Sequence, residues 1–475
     1  MSSLFAKTKI LATLGPATAT RDKIEALINA GCDAFRLNFS HGSLEDFEEI
    51  FNFINEICVE KSLPIPILVD LQGPKIRIGE LSRPEIDIES GNTIELTNEN
   101  ILGTAEKIYT SYKNLPNDAQ IGETILIDDG LIRLKVKEKK KESVICEVIV
   151  GGKLKPKKGM NLPGMKLSTP SVTEKDFENL EFALKHRVDF IALSFVREAK
   201  DILNLRSWLK AKGFEKPIIA KIEKPEAIEN FDSIMAEADG IMVARGDLGV
   251  ELEPQLVPVF QKQIISKCNS VGKLVITATQ MLESMINNPV PTRAEASDVA
   301  NAVWDGTDVV MLSGETSVGK YPIEAVKIMN SILLTTEAQS TFKQEINFDI
   351  PKDLTDNLFD SMAHAHKNIS EQIGATAIVI FTHFGRKAKS TAKFRPNATI
   401  FAFSDSFDAC NMLNLQWGIR PLYLESIDDE NAAVETSMNI LLQKGFISKG
   451  DLLIFTSGRP HLDKDRISWM RFAIA

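Results

Sequence analysis

Two β-type apolar runs in the middle of the chain, Ala220-Lys221-Ile222-Glu223 and Val243-Ala244-Arg245-Gly246-Asp247, each end in charged residues of one parity. Alternate side chains of a strand share a face, so Lys221 is expected to point with Glu223, and Arg245 with Asp247. A cation and two carboxylates meeting at one rim suit a divalent metal holding an anionic substrate: hard oxygen ligands for the ion, a lysine for developing negative charge. A structural ion pair at a strand end is the bland alternative for one such pair. The pattern recurs, however, in Phe35-Arg36-Leu37-Asn38-Phe39-Ser40, where Arg36, Asn38 and Ser40 share a parity. An arginine buried without a partner is expensive, so Arg36 requires an anion.

The elements that must position these residues are short β-branched runs alternating with helix-patterned segments. Strands are expected at Lys7 to Leu14, Ala34 to Phe39, Ile65 to Leu71, Phe190 to Phe195, Ile218 to Ile222, Gly240 to Ala244, Leu274 to Thr279 and Val309 to Ser313. Eight strand-helix units with near-continuous apolar strands indicate a parallel (β/α)8 TIM-type barrel, whose reactive residues sit where the strands end. An open doubly wound sheet is the competing architecture. Between the third and fourth strands, Lys75 to Lys166 alternates in β fashion with turn signals at Asp129-Gly130 and Gly151-Gly152, which predicts a small all-β lid at the reactive end. After about Gln339 a polar linker leads into a C-terminal α/β open sheet, suited to regulation or assembly. The expected division is barrel 1–71, lid 72–167, barrel 168–339 and C-terminal domain 340–475.

Lys and Arg number 55 against 65 Asp and Glu, a net charge of -10. That balance argues against general binding to nucleic acid or to anionic membrane. Cys32, Cys58, Cys146, Cys268 and Cys410 are odd in number and lack CxxC spacing, so neither a zinc site nor a disulfide framework is expected. With no signal-peptide pattern and no membrane-length apolar run, a cytoplasmic protein is expected.

Round the expected rim lie Gly15, Arg36, Asn38, Ser40, His41, Asp70, Ser194, Lys221, Glu223, Arg245, Asp247, Thr279, Ser313 and Glu315. A phosphate ester is met by an arginine fork, a mobile lysine and a bridging metal; Arg36, Arg77, Lys221 and an ion on Glu223 and Asp247 could supply these for phosphoryl transfer. In the lid, Lys137 to Lys141 reads as a solvated hairpin. Lys158 is better placed to reach a nucleotide phosphate. GETSVGK from Gly314 imitates half of a P-loop but continues into Tyr321 where Ser or Thr is required. His364 and His366, at i and i+2, do not share a helix face.

At these residues the chain resembles pyruvate kinases over essentially its whole length. The resemblance is carried by KTKILATLGPAT from Lys7, FRLNFSHG from Phe35, VDLQGPKIR from Val69, KGMNLPG from Lys158, AKIEKPEAIEN from Ala220, DGIMVARGDLGVE from Asp239, ITATQMLESM from Ile276, PTRAEASDVANAVWDG from Pro291 and VMLSGET from Val310. It implies transfer of the phosphoryl group of phosphoenolpyruvate to ADP, giving pyruvate and ATP. Carried over residue by residue, Glu223 and Asp247 match the ligands of Mg2+ or Mn2+, Lys221 the group facing the transferring phosphoryl and the enolate, and Arg36 a phosphate contact. Gly246, Asp247 and Thr279 match the carboxylate site, and Asn38, Ser40, His41, Arg77 and Lys158 the nucleotide side. Thr279 and Ser313 are candidates for the proton relay.

Many relatives hold K+ at positions matching Asn38, Ser40, Asp70 and Leu71 and carry Glu where this chain has Lys75. The segment resembles the subset in which the lysine ammonium replaces that ion, so activity without K+ is expected. The C-terminal phosphate loop of sugar-phosphate-regulated relatives is here Thr382-His383-Phe384-Gly385-Arg386-Lys387, and the closing loop runs from Thr456 to His461. A sugar-phosphate or nucleotide effector is possible on this pattern, with fructose 1,6-bisphosphate disfavoured, and the resemblance implies a homotetramer. A metal-dependent barrel lyase or aldolase acting through an enolate is the alternative, but it would not need the lid or Lys158. A non-catalytic binder would be expected to have lost Lys221, Glu223 or Asp247.

Overall fold

The computed structural model describes residues 5–339, 348–351, 353–426, 429–457 and 468–475. Eight parallel strands close into a barrel: Lys9–Leu14, Ala34–Asn38, Ile67–Asp70, Phe190–Leu193, Ile218–Ile222, Gly240–Ala244, Leu274–Ala278 and Val309–Leu312. Each expected strand is present, several shortened by one or two residues. The open-sheet alternative is thereby excluded for this part of the chain. After the fifth strand come two short helices, Pro225–Glu229 and Phe231–Glu237, separated at Asn230.

Parity along the strands sorts the barrel into layers. Leu11, Ala34, Leu68, Ala192 and Ile219 form one buried cluster in the lumen. Two residues further along the same faces come Thr13, Arg36, Asp70, Ser194 and Lys221, so an apolar plug supports a polar mouth. The opposite parity, Ile10, Phe35, Leu37, Val69, Ile191 and Ile222, packs against the helices. Leu415, from the C-terminal domain, joins the lumen cluster and closes the barrel floor.

That floor is fastened by one device used four times. Asp33, Asp189, Asp239 and Asp308 each directly precede an even-numbered strand, and each grips the first residues of the preceding odd-numbered one. Their backbone N–H groups donate to the carbonyls of Ile10, Ile67, Ile218 and Val275. Their carboxylates accept from the N–H groups of the same four residues at 2.8 to 2.9 Å. Each carboxylate also meets an arginine: Arg420, Arg187, Arg206 and Arg395. Arg420 and Arg395 belong to the C-terminal domain, so two of the four clasps also bind that domain to the barrel.

The lid is a six-stranded sheet ordered Met160–Asn161, Thr124–Ile127, Ile132–Lys139, Ser143–Val150, Thr93–Thr97 and Lys107–Tyr109, beside a two-stranded pair, Ile86–Ile88 with Gly152–Leu154. It has its own core, including Ile94, Leu96, Leu134, Val136 and Val148. The C-terminal sheet runs Ile419–Tyr423, Thr399–Ser404, Ala377–Phe381, Leu452–Ser457 and Trp469–Ile474, the last strand antiparallel. The closing loop from Gly458 to His461, and most of the linker after Gln339, lie outside the described residues. Among those residues no helix is long and apolar enough to cross a membrane.

The clasps differ in burial, and their energies should differ with it. Arg395 meets Asp308 at 2.6 Å with side-chain exposures of 15% and 11%, whereas Arg206 and Asp239 are 40% and 42% exposed. Removing one partner of a buried pair strands a charge, at about 3–5 kcal/mol; an exposed pair contributes about 0–1 kcal/mol. Arg395→Met should therefore lower the urea midpoint markedly and Arg206→Met hardly at all. Equal losses in the two variants would contradict this account of the floor.

Candidate active site

At the top of the barrel the polar layer is one connected cluster. Asp70, 1% exposed, sits at its centre. One carboxylate oxygen accepts from Arg36 Nε at 2.7 Å and the other meets Lys221 Nζ at 3.2 Å. Arg36 Nη1 donates to Thr13 Oγ1 at 3.0 Å. Lys221 Nζ donates to Ser194 Oγ at 2.6 Å and pairs with Glu223 Oε1 at 2.9 Å. Ser194 passes its own hydroxyl hydrogen to the Leu71 carbonyl at 2.7 Å. The second Glu223 oxygen accepts the Phe195 N–H at 2.7 Å, and Phe195 is held at φ +54° to present it. For a bulky side chain that backbone region is strained, a cost tolerated where surrounding structure fixes it.

Burial alone would strip the charge from Lys221, but Asp70 and Glu223 outweigh it and hold the ammonium above its ordinary value. Burial likewise works against ionisation of Asp70, and Lys221 and Arg36 overcome it, so this carboxyl is depressed. Glu223 goes the other way: burial, reinforced by the nearby Asp247 charge, keeps it raised in spite of Lys221. One buried carboxylate thus has surplus positive charge beside it and the other has too little.

Asp247 departs from the sequence expectation in how it is delivered. The sixth barrel strand ends at Ala244 and a helix, Arg245–Glu251, begins at once. Strand parity therefore does not apply, because successive helical residues turn by about 100° instead of 180°. Arg245 swings out of the mouth: it donates to the Thr279 carbonyl at 2.7 Å and meets Asp298 at 2.7 Å. Its role is to clamp Thr279 and Gln280, both left-handed at φ +69° and +53°. Asp247 remains at the mouth, half-buried, with no hydrogen bond or ion pair among the described residues. Thr279 Oγ1 donates to the Ala278 carbonyl at 2.6 Å and accepts the Gly246 N–H at 2.7 Å. The Gly246 amide, expected to face a substrate carboxylate, is thus engaged by Thr279 here. Ser313 Oγ is buried with no hydrogen-bond partner.

No three His, Cys, Asp or Glu side chains among the described residues form a complete metal cage. Glu223 and the uncommitted Asp247 nevertheless fit a hard divalent cation, which is completed by substrate and water oxygens when the protein supplies only one or two carboxylates.

Two of the expected nucleotide contacts are engaged within the lid. Lys158 is paired with Asp128 inside the lid at 2.8 Å, and Arg77 donates to the Lys157 carbonyl at 3.0 Å. Asn38 Oδ1 accepts the Ser40 N–H at 3.1 Å. His41 is exposed; partial burial, then Lys75, Arg77 and Arg36, hold its imidazole below the ordinary value, which puts those three cations within electrostatic reach of it. Lys75 is exposed and lines, with Asp129, Phe195 and Asp247, a cleft between mouth and lid. In the C-terminal domain burial pulls Lys387 down to about 8, and its ammonium donates to the Ser457 carbonyl at 2.7 Å. His366 is buried in packing and His364 exposed. Thr13 and the Phe195 amide were not singled out from the sequence; Thr13 shares parity with Leu11, the signal that could have found it.

A closed barrel with cations and carboxylates crowded at its mouth, under a β-rich lid, defines an enzyme of phosphoryl transfer. The model of the pyruvate kinase barrel domain matches residues 5–326, and that of the pyruvate kinase alpha/beta domain matches residues 360–471. Pyruvate kinases of Staphylococcus aureus strains MRSA252 and USA300 are 42% identical over 456 residues, covering 96% of this chain and 78% of theirs. A crystal structure of a pyruvate kinase from Cryptosporidium parvum superposes with a TM-score of 0.90 at 35% identity, covering 99% of this chain and 96% of the other. The chain belongs to the pyruvate kinase family. It is a phosphotransferase of glycolysis that moves the phosphoryl group of phosphoenolpyruvate to ADP, with a divalent metal requirement; the lyase or aldolase alternative is not favoured.

The charge pattern carries a pH signature. Asp70 has a depressed folded pKa, so its contribution to stability is present above the unfolded value, near about 3.9, and is lost as pH falls through the folded one. Asp70→Asn, which leaves two buried cations facing each other, should cost about 3 kcal/mol at pH 7. The gap to wild type in urea midpoint should then shrink as pH drops below about 4. A gap that is absent at neutral pH would contradict the assignment.

Proposed function

We propose that the Lys221 cluster is the seat of phosphoryl transfer, on the strength of one observation: a buried lysine held charged by Asp70 and Glu223, 2.6 Å from Ser194 and beside an arginine on the same carboxylate. Arg36 receives the phosphate of phosphoenolpyruvate with the guanidinium nitrogen left over from Asp70 and Thr13. Lys221 faces the bridging oxygen. As the ester O–P bond breaks and a β-phosphate oxygen of ADP takes the phosphorus, the electron pair stays on the enolate, where the ammonium is already in place. Electrostatic groups fixed in advance need no reorganisation as charge develops.

Glu223 and Asp247 hold Mg2+ or Mn2+, which when bound neutralises phosphate charge and polarises the enolate oxygen. Thr279 and the Asp247 amide orient the substrate carboxylate, and the Gly246 amide joins them by exchanging its bond to Thr279 Oγ1 for one to the substrate. Thr279 and the unsatisfied Ser313 hydroxyl are the groups through which a proton reaches the enolate carbon. Asn38, Ser40, His41, Arg77 and Lys158 serve the nucleotide, which requires Lys158 to leave Asp128 as the lid closes. Lys221→Met keeps the length of the side chain and removes its charge. In a pyruvate assay with ADP and magnesium it should lower kcat by at least about 10³-fold, some 4 kcal/mol of barrier, with substrate binding largely kept. Wild-type turnover in a variant that binds substrate normally would overturn the role of Lys221.

Activity is independent of K+. Asp70 already has two cationic partners, and Lys75 brings a further positive charge within electrostatic reach of His41. Replacing K+ by a large inert cation should leave turnover nearly unchanged; a tenfold drop, about 1.4 kcal/mol, would refute this. The enzyme works in the cytoplasm as a homotetramer, and any sugar-phosphate or nucleotide effector acts through the C-terminal domain.

A further inference from the structure

Immediately behind the two metal-ligand candidates lies a second buried ion pair that the reaction does not use. Lys224, the residue after Glu223, places Nζ 2.6 Å from Glu251 Oε1. Lys224 is 6% exposed and Glu251 5%. Glu251 is the last residue of the helix Arg245–Glu251, four positions after Asp247. Residues at i and i+4 lie on one face, one turn apart, so a shift of Glu251 carries Asp247 with it. The pair therefore straps the segment bearing Glu223 to the helix bearing Asp247.

A third partner comes from the lid. Asn161, in the lid strand Met160–Asn161, donates from Nδ2 to the same Glu251 Oε1 at 2.9 Å. The other carboxylate oxygen, Oε2, is buried and has no donor among the described residues. A pair needed only for packing gains little from this arrangement, since apolar residues of similar volume replace buried ion pairs at small or no cost. A buried carboxylate satisfied through a single oxygen depends steeply on both of its donors, and one of the two belongs to the lid. Asn161, Lys224 and Asp247 all line the cleft between mouth and lid.

We propose that Asn161, Glu251 and Lys224 form a latch that couples the docking of the lid to the spacing of the Glu223 and Asp247 carboxylates. The three are positioning residues: they act on the ion through the two carboxylates and touch neither substrate nor metal. With the lid docked, Asn161 completes Glu251 and the helix is held where Asp247 and Glu223 share one ion; with the lid away, Glu251 loses a donor and the helix slackens. This rests on the reading that Glu223 and Asp247 bind the divalent metal.

The test is Mn2+ binding to the full chain without substrates, followed by the electron paramagnetic resonance signal of free Mn2+, with folding checked by thermal melting. Glu223→Gln should weaken binding strongly. Asn161→Ala, a half-buried lid position that should fold normally, should weaken it three- to tenfold, Glu251→Gln at least as much, and the double variant no more than Glu251→Gln alone. Unchanged binding in Asn161→Ala, or losses that multiply in the double variant, would overturn the latch while a weakened Glu223→Gln kept the metal reading intact. Unchanged binding in Glu223→Gln would overturn both. If Glu251→Gln is too unstable, Lys224→Met with Glu251→Leu removes both charges at similar volume; adding Asn161→Ala to that pair should then cost nothing, and a further loss would count against the latch.

Discussion

The mouth of this barrel depends on the sharing of one buried carboxylate by two buried cations. Asp70 holds Arg36 on one oxygen and Lys221 on the other, and without it two like charges would face each other in a poorly solvated space. Glu223 is a second partner for Lys221, so the two cations and two carboxylates balance, and an ion on Glu223 and Asp247 would tip the mouth toward positive charge. Cations held charged in advance, together with such an ion, are what a multiply charged phosphate ester requires. At about 4 Å and an effective dielectric near 20, each unit-charge contact is of order 4 kcal/mol before desolvation is subtracted. A mouth that gathers several cations in advance can therefore offset the cost of taking such a ligand out of water.

Everything else in the barrel serves to keep that cluster in place. The apolar lumen layer fixes the height at which Thr13, Arg36, Asp70, Ser194 and Lys221 emerge. Below it the aspartate clasps lock neighbouring strands in register, and register decides which side chains face inward. The positive backbone angles at Phe195, Thr279 and Gln280 lie at strand ends on the rim. Phe195 turns its N–H onto Glu223, and Thr279 turns its hydroxyl onto the Gly246 amide, so strained backbone here has an identifiable product.

Much of this was legible in the sequence because period-2 alternation is a local signal. The eight barrel strands follow from near-continuous apolar runs between helical segments, and the inserted lid and the inward sets at Arg36 and at Lys221 with Glu223 from alternation. Arg245 was misplaced because alternation was carried one residue past Ala244, where the chain had already turned helical. The pairing of Lys158 was not legible, since the aspartate-rich turn that supplies Asp128 lies thirty positions away in the sequence and meets the lysine only in the folded lid. The floor clasps had a readable signal, an Asp before every even-numbered strand, at Asp33, Asp189, Asp239 and Asp308. The Asn161, Glu251 and Lys224 network had none: its members are separated by 90 and 27 positions and meet only once the lid has folded back over the barrel.

The most direct test of the account is the charge state of Lys221 itself. In protein labelled with 13C at the lysine Cε, and with the signal assigned by its loss in Lys221→Arg, the account predicts an ammonium shift that persists beyond about pH 10, where an ordinary lysine begins to titrate. A Lys221 signal that titrates below about pH 9, as burial without its two carboxylates would require, would contradict it.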